Sequence, residues 1–114
     1  MDTDEAMKYL RAESVSQAIR EVLGVDWQLL TGRNRVSSVS SARVMCGAML
    51  RERTRMSLEE IGTYLGNRDH STVMYYVEKC QRDMRQNLAI AATYRKVAEV
   101  AERIEDTEPI SAAE

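Results

Sequence analysis

Residues 57–80 read SLEEIGTYLGNRDHSTVMYYVEKC, and this stretch decides the fold. Ser57 with a glutamate three residues later forms a capping box, which predicts that a helix begins there. Gly66 and Asn67 interrupt that helix, because both residues tolerate the left-handed backbone that ends a helix tightly. Asp69 can then cap a second helix at once. The pattern predicts a helix, a short turn and a second helix.

Both helices of this stretch have one apolar face. The first helix carries three apolar side chains on one side, which are Leu58, Ile61 and Leu65. In the second helix, apolar side chains at spacings of four, three and four predict a core stripe. That stripe consists of Val73, Val77, Cys80 and Met84. Other side chains face elsewhere, namely Ser71, Thr72, Tyr75, Glu78 and Arg82. We therefore expect a helix-turn-helix at residues 57–84.

A helix-turn-helix reads DNA because its first helix holds the N-terminal residues of the second in the major groove. Here those residues are 68–72, with the sequence RDHST. Short hydroxyls can donate to phosphates or base acceptors, an aspartate can accept from cytosine, and a threonine methyl can contact thymine. Many two-helix turns inside helical domains share this pattern, so it indicates DNA binding without specifying it.

The composition predicts an all-α fold in a single domain. The chain has 114 residues, of which 44% are hydrophobic and 30% charged, so it is long enough for one globular core. Proline occurs once and phenylalanine is absent. Residues that favour helices, such as Ala, Leu, Met, Arg and Glu, are plentiful. We expect a small bundle of four to six helices.

Charge is distributed unevenly along the chain. The formal net charge is −2, which is unusual for a nucleic-acid-binding protein. Residues 33–85 contain ten Lys or Arg against six Asp or Glu, whereas the two flanks contain six against twelve. A basic centre between acidic ends fits nucleic-acid binding, although scattered charges on helix surfaces would give the same distribution.

The first part of the chain is predicted to contain two helices. Ser14 and Gln17 match a capping box, so we expect the first helix to begin at Ser14 and to end at Gly24. Asp26 can cap a short second helix, in which we interpret Trp27 as a core anchor.

A basic loop is predicted after this short helix. Residues 32–41 show no hydrophobic periodicity and contain Arg33, Arg35 and several hydroxyls. A third helix is expected from about residue 41 to residue 53. Its inward side chains would be Ala42, Met45, Cys46 and Met49, and arginines would lie on or beyond the other side, namely Arg43, Arg51, Arg53 and Arg55.

A last helix is predicted from about residue 88. It carries apolar residues in a heptad-like pattern: Ile90, Tyr94, Val97, Ala101 and Ile104. This face either packs back onto the domain or forms a dimer seam, and so short a repeat favours the first interpretation. We divide the chain into an acidic leader at residues 1–13, helical or disordered, a DNA-binding domain at residues 14–105, and a disordered acidic tail at residues 106–114.

Several functional classes are not expected. Cys46 and Cys80 have no partners at metal-binding spacing, so we expect buried, reduced thiols and no metal. None of the five glycines is followed by lysine, which argues against an ATP-binding loop. His70 has no partner at a catalytic spacing. The acidic start is neither a signal peptide nor a membrane span. We expect a cytoplasmic protein that is not an enzyme and has no cofactor.

Residues 57–80 closely resemble the signature of the family of the bacterial replication initiator DnaA. The core of that signature is Gly-Arg-Asp-His followed by two hydroxyl residues and an aliphatic residue, and this chain has NRDHSTV at residues 67–73. The likeness extends from about residue 15 to about residue 104. It implies the family's C-terminal domain, a TrpR-like helical bundle that binds double-stranded DNA at short origin boxes.

The resemblance also implies a set of contact residues and partners. Major-groove contacts would come from Asp69, His70, Ser71, Thr72 and Met74. Phosphate or minor-groove contacts would come from Arg33, Arg35, Arg43, Arg51, Ser57 and Arg68, the last of which is structural or contacts phosphate. The implied partners are double-stranded DNA with an origin-type box and replication-initiation proteins, without ATP or a membrane. The implied location is the bacterial nucleoid.

The chain departs from the family in its thinner basic loop, where serines replace basic residues. Fewer phosphate contacts predict weaker binding and a shallower salt dependence. An adaptor that keeps the bundle but has lost DNA binding is therefore an alternative. A ligand-responsive repressor of TrpR-like architecture is another, and it would need a pocket and a dimer. Met1 and the acidic flanks favour a complete small protein over an excised initiator domain.

Overall fold

The computed structural model describes residues 3–107, and this part of the chain consists of six helices without a strand. In chain order they are α1 (Thr3–Leu23), α2 (Trp27–Thr31), α3 (Ser37–Arg53), α4 (Leu58–Tyr64), α5 (His70–Gln86) and α6 (Leu88–Thr107). The expected all-α bundle with a helix-turn-helix is confirmed.

One hydrophobic core joins the helices. The helix α1 packs against α6 and α3, and α3 packs against α5. Ile19 of α1, Met49 of α3 and Val97 of α6 are fully buried in the same cluster. The apolar face of α6 is thus covered within the chain, which agrees with the interpretation that this helix packs back onto the domain.

The first helix begins earlier than predicted. It starts at Thr3, and Ser14 is buried in its interior, where its hydroxyl donates to the carbonyl of Leu10 at 3.1 Å. The prediction that Ser14 caps the helix is therefore wrong. A mid-helix serine can satisfy its hydroxyl with the carbonyl four residues earlier, so a capping sequence does not require a helix end. Gly24 ends the helix at φ 72°, as predicted.

The basic loop is shorter than predicted. Only residues 32–36 lie between α2 and α3, because α3 begins at Ser37 instead of at about residue 41. The side chain of Asn34 accepts a hydrogen bond from the amide of Val36 at 2.8 Å. Val39 is buried one turn later and anchors the start of the helix to the core. A single apolar residue among serines gave no periodic signal in the sequence.

Trp27 is not a core residue. Trp27 begins α2, and its side chain is 43% exposed and meets the ring of Tyr64 edge-on. The interpretation of Trp27 as a core anchor is wrong, and the anchor of α2 is the fully buried Leu30. Asp26 does cap the helix, since its carboxylate accepts from the amide of Leu29 at 3.0 Å.

The last helix extends into the predicted tail. The helix α6 continues to Thr107, so the prediction of disorder is wrong for residues 106 and 107, and the rest of the predicted tail lies outside the described residues.

Both cysteines are free and buried, as expected. Burial raises the pKa of Cys46 to about 12, which makes this thiol unreactive at neutral pH.

Candidate DNA interface

The turn between α4 and α5 has the predicted geometry. Ser57 and Glu60 form a complete capping box at the start of α4. Gly66 and Asn67 follow the helix with φ of 93° and 64°. Both residues therefore adopt the left-handed backbone that their types favour. The amide of Arg68 then donates to the carbonyl of Gly62 at 2.8 Å, which closes the turn back onto α4.

The absence of a side chain at two glycines sets the angle of α5. A Cβ on Gly62 would lie 2.0 Å from the carbonyl oxygen of Arg68. A Cβ on Gly66 would lie 2.1 Å from the carbonyl oxygen of Thr31. Any other residue at Gly62 would push the turn away from α4 and would change the direction of the second helix.

A third close approach holds α5 against α3. Val73, Tyr76 and Cys80 are buried on the inner face of α5. A Cβ on Gly47 of α3 would lie 2.9 Å from the Cδ2 atom of Tyr76, so the ring of this tyrosine fills the space that the glycine leaves. The predicted stripe was correct for Val73 and Cys80, whereas Val77 and Met84 are only half-buried.

Asp69 caps α5 and is linked to Ser71. Its carboxylate accepts from the amide of Ser71 at 3.0 Å and also from the hydroxyl of the same residue. The hydrogen bond from the Ser71 side chain lowers the pKa of this carboxyl, so it is ionised at neutral pH. The predicted cap is confirmed, and in the free protein the hydroxyl of Ser71 is already directed at Asp69.

The predicted major-groove residues lie together at the start of α5. The side chains of Asp69 and His70 are 65% and 62% exposed, and Ser71 and Met74 are exposed as well. Thr72 is half-buried. Tyr75, which the contact set omitted, is 53% exposed on the same helix. Its place outside the apolar stripe was the sequence signal for this residue.

Arg43 does not lie on the outer side of α3. Only 6% of this residue is exposed. Its Nε donates to the carbonyl of Leu30 at 2.8 Å, and its Nη2 contacts the carbonyls of Leu29, Gly32 and Asn34 at 2.9 to 3.3 Å. The last carbonyls of a helix have no partner within the helix, and Arg43 supplies one for α2. The predicted phosphate or minor-groove contact of Arg43 is therefore wrong.

Arg68 is also committed to backbone carbonyls. Its Nη1 donates to Thr31 at 3.3 Å and to Leu65, and its Nη2 donates to Gly32. These bonds tie the turn before α5 to the end of α2. Of the two roles predicted for Arg68, the structural one has direct support in these contacts.

Arg33 and Arg35 are the exposed cations beside this turn. Both lie in the loop before α3, and they line a cleft of about 360 Å³ together with Arg43 and Arg68. Neither Arg33 nor Arg35 forms an ion pair with another of residues 3–107. Their guanidinium groups are available to an anion.

The two other predicted phosphate contacts lie on either side of the connection between α3 and α4, Arg51 in the last turn of α3 and Ser57 at the N-cap of α4. Arg51 is exposed, and its Nη1 donates to the carbonyl of Met56 at 3.1 Å. Ser57 is exposed, and its hydroxyl accepts from the amide of Glu60 at 3.1 Å. Both residues remain accessible, although each already contributes to the local backbone structure.

The comparison with protein families matches this part of the molecule. Residues 12–80 match the family model described as the bacterial dnaA protein helix-turn-helix. The chain belongs to this family. Its family is that of the C-terminal helix-turn-helix domain of DnaA, known as domain IV, which binds DNA.

Curated relatives of this DnaA domain are full-length initiators. The chain is 34% identical over 92 residues to the chromosomal replication initiator protein DnaA of Synechococcus sp. (strain JA-2-3B'a(2-13)). The aligned residues make up 81% of the chain and 20% of the relative. It is 34% identical over 104 residues to the same protein of Roseiflexus castenholzii, which covers 91% of the chain and 21% of the relative. The chain thus spans about a fifth of the length of these DnaA proteins.

Residues 3–107 contain neither a candidate membrane span nor a cluster of metal ligands. In this part of the chain, no helix is long and apolar enough to cross a bilayer. No group of three or more His, Cys, Asp or Glu side chains in the same residues could hold a metal ion.

Proposed function

We propose that this chain binds double-stranded DNA sequence-specifically at an origin-type DnaA box and acts in the initiation or regulation of chromosomal replication, on the bacterial nucleoid. The observation that carries this proposal is the exposed pair of Asp69 and His70 at the start of α5. The contact between Gly62 and the turn fixes the direction of that helix. Such a rigid presentation is what major-groove reading requires.

The N-terminal residues of α5 would read the bases. Asp69 is ionised and can accept from the amino group of cytosine, while His70 can contact a base edge. Ser71 would exchange its bond to Asp69 for one to a phosphate or a base. Met74 lies about one turn further along and is exposed, so it can contact a thymine methyl. Thr72 would contribute its methyl or its hydroxyl.

Three arginines would supply the attraction to the DNA backbone. Arg33 and Arg35 would reach the minor groove or the phosphates from the loop, and Arg51 and Ser57 would contact phosphate. Arg43 is excluded from this set because it is buried. If only three arginines neutralise phosphates, the slope of log K against log salt would be about −3. We therefore propose a modest affinity that depends on base contacts.

The structure also supports a second candidate function. The burial of Arg43 and the backbone bonds of Arg68 remove two cations that the sequence had assigned to DNA. With a formal net charge of −2, the chain could serve as an adaptor for replication-initiation proteins that has weak DNA binding or none. In that case the domain would regulate initiation through protein contacts.

A binding assay distinguishes the two functions. The purified chain, without nucleotide, is titrated with a duplex that contains an origin-type box and with a scrambled duplex, each at a low and a high salt concentration. We expect the box-containing duplex to bind more tightly at both salt concentrations. Equal binding of both duplexes, or no binding at low salt, would refute sequence-specific recognition and would favour the adaptor.

A further inference from the structure

Three aromatic side chains form a partly exposed cluster on α1, α2 and α4. The rings of Trp27 and Tyr64 meet edge-on with centroids 4.6 Å apart, and the ring of Tyr9 lies 6.5 Å from that of Tyr64. Trp27 and Tyr9 are nonetheless 43% and 38% exposed. The contacts between the rings hold them in place while much of their apolar surface faces solvent. We call these three residues the aromatic cluster.

Two clefts border the aromatic cluster. A cleft of about 860 Å³ is lined by Trp27 and Tyr64, and a second of about 350 Å³ is lined by Tyr9 and Tyr64. No residue of α5 or of the loop at residues 33–36 lines either cleft. The aromatic cluster therefore lies apart from the start of α5 and from the loop arginines, although Glu60 on the rim of the smaller cleft is hydrogen-bonded to the predicted phosphate contact Ser57.

The rims of both clefts are acidic. Glu13 and Asp26 line the larger cleft, and Glu59 and Glu60 line the smaller one. Among the described residues, Arg20 is the one basic residue that lines either cleft. The four carboxylates therefore outnumber the cations around the aromatic rings.

A nearby lysine offsets only part of this charge, because it pairs with Glu60 but not with the other three rim carboxylates. The Nζ atom of Lys8 pairs with Glu5 and with Glu60, each at 2.7 Å. The pKa of Lys8 is raised, first by the hydrogen bond to Glu5 and then by that to Glu60. In contrast, neither Glu13 nor Glu59 forms an ion pair with another of residues 3–107. These two carboxylates remain available to a cationic partner.

We propose that the aromatic cluster and its acidic rim bind a protein partner through a segment in which an apolar side chain is flanked by Lys or Arg. Tryptophan and tyrosine are the residues that most often dominate the energy of protein interfaces. A Lys or Arg side chain can also bind the face of the Trp27 ring, and the rim carboxylates complement its charge. Aromatic rings can stack with unpaired bases as well, but carboxylates around them would repel the phosphates.

The test uses four synthetic peptides of equal length that contain no tryptophan. A central Leu-Phe pair or a central Ser-Ser pair is flanked either by Lys and Arg or by Glu. Trp27 is the single tryptophan of the chain, so its fluorescence reports binding directly. We expect only the basic peptide with Leu-Phe to change the emission and to shift the amide resonances of α1 and α4 in a 1H–15N spectrum.

The other peptides and a nucleic acid test the assigned chemistry. If the Glu-flanked peptide or the Ser-Ser peptide binds equally well, or if no peptide binds at millimolar concentration, the proposal is overturned. Tighter binding of a single-stranded oligonucleotide at this surface than of the basic peptide would likewise overturn it.

Variants locate the site and separate it from DNA binding. Glu13→Lys combined with Glu59→Lys reverses two exposed rim charges, and we expect at least a ten-fold loss of affinity for the basic peptide. Tyr75→Ala removes an exposed aromatic ring elsewhere and should leave that affinity unchanged. Trp27→Ala should no longer bind the peptide, as measured by the shifts of the amide resonances. The same variant should bind the box-containing duplex with the affinity of the unchanged chain. Loss of duplex binding in Trp27→Ala would place this surface inside the DNA interface and would refute the proposal.

Discussion

Arg43 and Arg68 donate hydrogen bonds to the same acceptor, the carbonyl oxygen of Gly32. Arg43 reaches it from α3, and Arg68 reaches it from the turn before α5. The end of α2, the start of the basic loop and the helix-turn-helix are thereby held together by two guanidinium groups. Arg43 is the more buried of the two residues, so its removal should have the larger effect on stability.

Arg43→Leu should destabilise the fold. The substitution leaves several carbonyls at the end of α2 without a donor, and we expect the free energy of unfolding to fall by about 3 kcal/mol. Arg33→Leu changes an exposed arginine nearby and should change it by about 0.5 kcal/mol or less. Urea denaturation of both variants measures the difference. Equal stability of the two variants would show that water replaces the guanidinium of Arg43.

Gly62→Ala should change the direction of α5. The new Cβ would lie 2.0 Å from the carbonyl oxygen of Arg68, so the turn must shift, at a cost of about 3 kcal/mol. Gly24→Ala is the matched control, because its φ is 72° but no atom lies within 4 Å of the added Cβ. We expect the free energy of unfolding of this control to fall by about 1 kcal/mol, because alanine is disfavoured in the left-handed backbone. Thermal unfolding compares them, and a Gly62 variant no less stable than the control would contradict the close contact.

Removal of the loop arginines should flatten the salt dependence of DNA binding. In Arg33→Ala combined with Arg35→Ala, two cations are lost, and the slope of log K against log salt should become shallower by about 2. The decrease in affinity should be similar for box-containing and scrambled duplexes if the contacts are with phosphate. Arg85→Ala combined with Arg95→Ala removes two exposed arginines elsewhere as a control. A slope equal to that of the control would exclude the loop from the interface.

Asp69→Asn should separate capping from base reading. Asparagine caps a helix as well as aspartate, so the melting temperature should be retained, whereas discrimination at one base pair should fall by about 1 to 3 kcal/mol. Asp69→Ala should in addition lose about 0.5 to 2 kcal/mol of stability. His70→Ala should relax base preference without a change in stability, because its side chain is exposed. Variants that melt earlier but keep the same base preference would show that these residues serve only the fold.

Glu60→Gln should remove part of the acid sensitivity of the fold. The hydrogen bond from Lys8 is the main cause of the lowered pKa of Glu60, followed by the amide of Ser57. A lowered folded-state pKa gives a stabilisation that is present above the unfolded value of about 4 and is lost as the pH falls through the folded value. We therefore expect the unchanged chain to be more stable than Glu60→Gln at pH 7 and equal to it at pH 2. Parallel urea titrations test this, and a pH-independent difference would contradict it.

Local signals allowed the sequence to predict the helix-turn-helix. The capping residues Ser57 and Asp69 and the turn residues Gly66 and Asn67 act on neighbours within three residues. Such effects depend on residue type and spacing, which are visible in a sequence. The exposed start of α5 followed from the same spacing, so most of the predicted major-groove set was placed correctly on the surface.

Contacts between distant parts of the chain were not visible in the sequence. Arg43 is buried because its guanidinium lies beside carbonyls 9 to 14 residues earlier in the chain, and arginine spacing carries no sign of this. Trp27 is exposed because Leu30 fills the core instead. Ser14 resembled a helix cap because its hydroxyl can bond either way, and only the burial of α1 decides between them.

The shared acceptor at Gly32 also has a mechanical consequence. Because the loop and the turn are braced against each other, the separation between the loop arginines and the tip of α5 is set before any duplex arrives. The protein would then present two contact regions at a fixed distance from each other. A duplex whose adjacent grooves do not match this distance would have to bend or narrow a groove, and the energy of that deformation varies with base sequence. Base pairs that the side chains never touch would therefore still influence where the domain settles.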